Sequence, residues 1–201
     1  MLKDYNYEFE HDDYYCYPNS RVLKNKLGIT DAAVFEQAER DFTYLRSLEA
    51  SQTHIRGKFD YAHLKRIHKF LFGDIYEWAG KPRQVNITKG NQFCRVECIE
   101  EQMEELFGKL KKENCLRNLD SKEEIAARLA YYLGEINAVH PFREGNGRTQ
   151  RMFIEHLANS LGYRLDFSRV SQQEMVQASA KAFALDYSAM EGLISRIMER
   201  E

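Results

Sequence analysis

Apolar residues recur at helical spacing over most of the chain. In ITDAAVFEQAERDFTYLRSLEA (residues 29–50), Val34, Ala38, Phe42 and Leu45 fall three or four apart behind a cap at Thr30 or Asp31. That spacing predicts a helix burying that stripe. FDYAHLKRIHKFLFGDIYEWAG (59–80) repeats the pattern with Leu64, Ile67 and Leu71 behind Asp60, and CIEEQMEELFGKLKKE (98–113) predicts a third helix. The fourth, SKEEIAARLAYYLGEINAV (121–139), carries one continuous stripe of Ile125, Leu129, Leu133 and Ile136. RTQRMFIEHLANSLGY (148–163), SQQEMVQASAKAF (171–183) and YSAMEGLISRIMER (187–200) predict three more helices, with Ser171 and Glu174 as a capping-box pair.

One stretch breaks the helical period. RQVNITKGNQFCRVEC (83–98) alternates Val85 and Ile87, passes through Lys-Gly-Asn, and resumes with Phe93 and Val96, which reads as a β-hairpin. No repeat, low-complexity tract or linker divides the chain. The expectation is one mainly α domain over residues 1–201: a helical bundle with core helices at about 31–199 and one hairpin at about 83–98.

Composition narrows the class. Hydrophobic residues make up 43% and charged residues 30% of 201, which suits a soluble globular protein. No apolar run approaches a membrane span, and the acidic, Tyr-rich start lacks the apolar core of a secretory signal, so a cytoplasmic protein is expected. A net charge of -2 without a basic block argues against direct nucleic-acid binding. Cys16, Cys94, Cys98 and Cys115 lack paired metal spacing and read as reduced thiols.

The candidate chemistry lies in HPFREGNGRTQR, residues 140–151. Pro141 stops the fourth helix beside His140, and EGNG connects directly into the next helix. Two glycines permit positive φ and let backbone amides converge, while a helix N-terminus adds unpaired N–H groups and a positive dipole end. Arg148 and Arg151, three apart, project from the first turn. This is a cradle for an oligophosphate. Glu144 at its mouth would repel phosphate unless a hard divalent cation bridged the two, as Mg²⁺ does. His140, neutral near pH 7, is then placed to act as general base towards an incoming hydroxyl. Taken singly, each feature has a plain reading: a dipole-stabilising cap, a turn, solvated arginines. Twelve residues containing all of them favour a site, and the P-loop pattern is absent.

HPFREGNGRTQR matches in full the signature His-x-Phe-x-[Asp/Glu]-Gly-Asn-Gly-Arg-x-x-Arg, and the chain resembles the Fic-domain proteins, in particular their bacterial toxins. YPNSRVLKNKLGI, GKFDYAHLKRIHKFLFGDIYEWAG, NITKG and the helix before His140 extend the likeness over nearly the whole chain. The resemblance implies a mainly helical Fic fold and transfer of AMP from ATP to a Tyr, Ser or Thr hydroxyl of a target protein, releasing pyrophosphate. It implies His140 as the base, Glu144 as the holder of Mg²⁺, and Phe142 as the inward anchor of the loop. Gly145, Asn146, Gly147, Arg148 and Thr149 would form the nucleotide-binding nest, with Arg148 and Arg151 on the outer phosphates. The hairpin would be a flap registering the target by strand addition: Thr88, Lys89 and Gly90 near the nucleotide, Asn91, Gln92, Phe93, Cys94 and Arg95 docking the target. Cys94 to Cys98 departs from the aromatic or Pro-containing sequences often seen there, which leaves target choice open. Intact Gly147 and Arg148 favour AMP transfer over the kinase-like and phosphocholine-transferring variants of the family.

Most such enzymes are restrained by a helix bearing [Ser/Thr]-x-x-x-Glu-[Gly/Asn], whose glutamate pairs with the second motif arginine, here Arg151. The single spacing match is Ser195 to Glu199, followed by Arg200, and reads as an ordinary charged helix end. The resemblance therefore implies a separate small antitoxin, and a toxin acting on the ATPase subunits of DNA gyrase and topoisomerase IV. Two rivals remain: a host-directed effector of the same chemistry, disfavoured by the lack of a delivery domain after Glu201, and a non-enzymatic module that holds a partner on the hairpin edge. A helix-turn-helix DNA binder is more distant, since it needs no His, Glu and two Arg.

Overall fold

The computed structural model describes residues 12–53, 55–89 and 91–200. Seven helices carry the fold: α1 (Ala32–Gln52), α2 (Tyr61–Phe72), α3 (Ile99–Lys112), α4 (Lys122–Val139), α5 (Asn146–Asn159), α6 (Gln172–Phe183) and α7 (Ser188–Ile197). Their starts are chemically marked. Asp31, Asp60 and Ser121 accept from backbone N–H groups three residues on, and Ser171 with Glu174 forms the full reciprocal capping box. α4 lies at the centre, packed against α3, α5, α6 and α7, while α5 also packs on α2 and α2 on α1. Ile125, Leu129, Leu133 and Ile136 are buried along it, as are Leu64, Ile67 and Leu71 on α2.

Two small antiparallel pairs complete the described fold. β1 (Thr88–Lys89) pairs with β2 (Asn91–Gln92), and β3 (Tyr163–Leu165) pairs with β4 (Met198–Arg200). The hairpin is shorter than the alternation suggested. Its ladder stops at Gln92, and Val96–Cys98 winds into a 3-10 turn that leads into α3. The expected helix over 59–80 likewise ends at Phe72, beyond which Tyr76 and Trp78 stack with ring centroids 4.2 Å apart.

Two sequence expectations are corrected. On α1, Val34, Phe42 and Leu45 face solvent, and the buried side is the one about 100° round the helix, with Phe35, Thr43 and Ala50. The reason is polar: Glu39 and Thr43 on that side engage Arg148 of α5. At the C-terminal end, Glu199 is not a helix end. α7 stops at Ile197 and Glu199 stands in β4 opposite Arg164, 2.5 Å from the Arg169 guanidinium. Ser195 and Glu199 therefore share no helix, and Glu199 makes its ion pair with Arg169 rather than Arg151. Among the described residues, no helix is long and apolar enough to cross a membrane.

Candidate active site

The site is built around the C-terminus of α4. His140 caps that helix in the left-handed conformation (φ 51°, ψ 62°), and Pro141 turns the chain away. The His140 Nδ1 lies 3.3 Å from the carbonyl oxygen of Asn137. With Nδ1–H donating there, Nε2 is the nitrogen left to accept a proton. The Phe93 ring stacks on the imidazole at a centroid distance of 3.9 Å and an interplanar angle of 15°, fixing its plane.

The loop between α4 and α5 is held from inside. Asn146 spans it: Oδ1 accepts from Phe142 N–H at 2.9 Å and Nδ2 donates to Phe142 C=O at 2.7 Å. Phe142 is buried and stacks on His68, ring centroids 3.9 Å apart. The His68 Nδ1 accepts from Gly80 N–H, so Nε2 carries the proton and donates to the Glu144 carbonyl at 3.0 Å. Complete burial lowers the His68 pKa to about 3, so this loop support stays neutral. Behind the loop, Arg143 forms a buried ion pair with Asp12 at 2.7 Å.

Gly145 adopts φ +77° against the Phe72 ring and starts α5 without a side-chain cap, so the first-turn N–H groups are left for a ligand. The Glu144 Oε1 accepts from Gly145 N–H at 2.8 Å and lies 3.8 Å from Arg148. Arg148 reaches back to α1, donating to Glu39 at 2.6 Å and to Thr43 at 2.9 Å, with its guanidinium over Phe72. Arg151 forms no ion pair among the described residues. Burial lowers its pKa, Arg148 adds to the effect, and Glu155 one turn on offsets it in part. Burial in turn raises the Glu155 carboxyl to about 7.

These groups open on one cavity of about 720 Å³. One wall is His140, Glu144, the amides of residues 145–148 and Arg151; the facing wall is Phe167, Val170, Met175, Val176 and Phe183. An anion-binding end meets an apolar end, as a nucleotide requires. The apolar wall went unrecognised in the sequence, although Met175, Val176, Ser179 and Phe183 form a second stripe on α6, beside its buried Ala178 and Ala182.

The remaining expected residues divide. Phe93 reaches the cavity. Thr149 does not line it: its side chain is buried and its hydroxyl donates to the Gly145 carbonyl at 2.9 Å. Thr88 and Lys89 lie in β1 and Asn91 and Gln92 in β2; Thr88 and Gln92 do not line the cavity, and Gly90 is outside the described residues. Cys94 and Arg95 follow on the return limb, Arg95 exposed.

Comparison with known proteins agrees with this geometry. The family model described as Fic/DOC family matches residues 58–158. Protein adenylyltransferase VbhT of Bartonella schoenbuchensis is 48% identical over 92% of the chain, which spans 39% of that protein's length. The protein named "Probable protein adenylyltransferase y4lH" of Sinorhizobium fredii is 37% identical over 93% of this chain and 96% of its own. The Fic domain of a VirB-translocated Bep effector protein from Bartonella quintana, solved with bound ADP, superposes with a TM-score of 0.88 at 33% identity, covering 94% of this chain and 96% of that one. BepC from Bartonella tribocorum, solved with bound AMPPNP, gives 0.86 at 28% identity, covering 94% and 98%. With its signature loop closed on a nucleotide-sized cavity and homologues named protein adenylyltransferases, the chain belongs to the Fic/DOC family.

Proposed function

We propose that this chain transfers AMP from ATP to a hydroxyl side chain of a protein acceptor. The observation that carries this reading is the convergence of His140, Glu144, the uncapped first turn of α5 and Arg151 on one cavity with an apolar far wall. The adenine base fits against Phe167, Met175 and Phe183, and the phosphates fit the helix N-terminus. His140 Nε2 accepts the proton of the acceptor hydroxyl, the oxygen bonds to the α-phosphorus, and the bond to the departing pyrophosphate breaks. Arg151, which forms no ion pair among the described residues, takes the outer phosphates. Arg148 serves them less directly, since Glu39 and Thr43 already hold it.

The donor set suits Mg²⁺. Glu144 at the mouth of the cradle would hold the cation, with phosphate oxygens and water completing its shell. Bound there, it would neutralise charge on the bridged phosphates. The hairpin of Thr88–Lys89 and Asn91–Gln92 would supply an edge for strand addition by the acceptor beside Phe93 and His140.

The setting we favour is a cytoplasmic toxin restrained by a separate small antitoxin, whose glutamate would pair with Arg151. The placement of Glu199 in β4, paired with Arg169, supports it. The gyrase and topoisomerase IV ATPase subunits are the proposed acceptors, by family resemblance. A second reading, a host-directed effector, is favoured by the solved relatives described as VirB-translocated effectors. Incubation with Mg²⁺, α-³²P-ATP and bacterial or host-cell lysate tests both. Label on a bacterial protein the size of a topoisomerase subunit supports the toxin; label confined to host protein supports the effector; no label in either lysate overturns AMP transfer to these acceptors.

A further inference from the structure

The last carbonyls of a helix have no partner within it, and their satisfaction shows what a helix end is tied to. At the end of α4 every one is met. The Ile136 carbonyl accepts from His140 N–H at 3.0 Å, and Asn137 from the His140 ring. The Ala138 carbonyl accepts from Cys94 N–H at 3.3 Å. The Val139 and His140 carbonyls accept from the Arg83 guanidinium, at 3.3 Å and 2.9 Å, and Arg83 N–H donates to the Pro141 carbonyl at 2.8 Å. Two of these donors belong to the two limbs of the hairpin.

Arg83 is 2% exposed. No carboxylate pairs with it among the described residues, and burial lowers its pKa. Besides Val139 and His140 it donates to the carbonyl of Val85, at 2.8 Å on the outgoing limb, and to that of Cys94 on the return limb. One planar cation thus binds four carbonyls: two at the negative end of α4 and one from each limb of the flap. A buried cation is costly without compensation, and the helix end together with these dipoles supplies it. A lysine, with a single nitrogen, cannot span that set.

We infer that Arg83 is a positioning residue that makes the hairpin and the cap of α4 one rigid body, so that the acceptor strand on the flap and the His140 imidazole keep a fixed register. The inference rests on the proposed docking of the acceptor to the flap. It locates the control of acceptor geometry 57 residues before the base, at a position that lines no part of the nucleotide cavity.

The test uses the full chain with Arg83→Met, Arg83→Lys, and a flap shortened by replacing residues 88–92 with two glycines. Three quantities are measured: transfer from α-³²P-ATP to lysate protein, affinity for a fluorescent ATP analogue, and amide hydrogen exchange by region. Arg83→Met is expected to slow transfer on the order of a hundredfold, the scale of a misplacement near 1 Å. Nucleotide affinity should stay within about twofold, and exchange should rise over residues 84–96 but not in α2 or α5. Arg83→Lys should fall between. Wild-type transfer in Arg83→Met, or a parallel loss of nucleotide affinity with exchange raised throughout, overturns the inference. If Arg83→Met does not fold, the same separation of transfer from nucleotide affinity is read in Arg83→Lys. Unchanged transfer with the shortened flap removes the docking premise, and the inference with it. Loss of transfer there, with none in Arg83→Met, leaves docking standing and refutes the role of Arg83 alone.

Discussion

Gly145→Ala is expected to be costly for two separable reasons. The residue sits at φ +77°, where an L side chain costs about 1 kcal/mol. Its new Cβ would also lie 2.2 Å from Phe72 Cζ, 2.3 Å from Cε2 and 2.9 Å from Cε1. The Phe72 ring cannot retreat freely: it is fully buried, stacked on His68 at 4.8 Å and covered by the Arg148 guanidinium at 4.7 Å. Overpacking of this kind costs roughly 1–3 kcal/mol, so the sum is about 3 kcal/mol. In a domain of this size that corresponds to a melting point roughly 6–12 °C lower. Phe72→Leu removes all three obstructing atoms, at a cavity cost of roughly 1–3 kcal/mol of its own. In that background Gly145→Ala should cost only the backbone share, about 1 kcal/mol, leaving a coupling of about 2 kcal/mol. Urea denaturation of the wild type, both single variants and the double variant measures it. Strict additivity, with coupling below about 0.5 kcal/mol, would show that Phe72 does not dictate glycine at this position.

Two further perturbations probe the supports of the loop. Asp12→Asn removes the carboxylate of this buried ion pair, and a loss on the order of 3 kcal/mol is expected in urea denaturation; a change under about 1 kcal/mol would mean the pair adds little to stability. His68 has a folded-state pKa near 3, below its ordinary 6.5, so the unfolded chain binds the extra proton between those values. Stability should therefore fall as pH drops from about 6.5 towards 3, by up to about 1.4 kcal/mol per pH unit from this group. His68→Asn should flatten that acid limb by up to one proton in a pH series of denaturation curves, and an unchanged slope would contradict the neutral, buried imidazole.

How far the sequence was legible depends on where each residue's partners lie. α4 buries the stripe read from its sequence because that face meets other helices on apolar terms, and local periodicity records this directly. α1 misleads because its inward face is anchored by Glu39 and Thr43 on Arg148, more than a hundred residues away, so its apolar residues are left outside. The signature loop was legible because its chemistry is local: Asn146 closes on Phe142, and the glycine at 145 answers a positive φ. Arg83 was not. Its partners are backbone carbonyls, which every residue has and no sequence pattern marks. The strand at Met198–Arg200 was hidden for a similar reason, since its ladder partner Tyr163–Leu165 lies before two intervening helices.

The central claim is that the transferred group comes from the α-phosphate, with His140 as the base. Parallel reactions with α-³²P-ATP and γ-³²P-ATP, on wild type and His140→Ala, test it most directly. The account requires label retained on acceptor protein from the α position only, and its loss in His140→Ala. Retention of γ label would mean phosphoryl transfer instead. Undiminished α labelling by His140→Ala would mean that the imidazole held between Phe93 and the end of α4 is not the base.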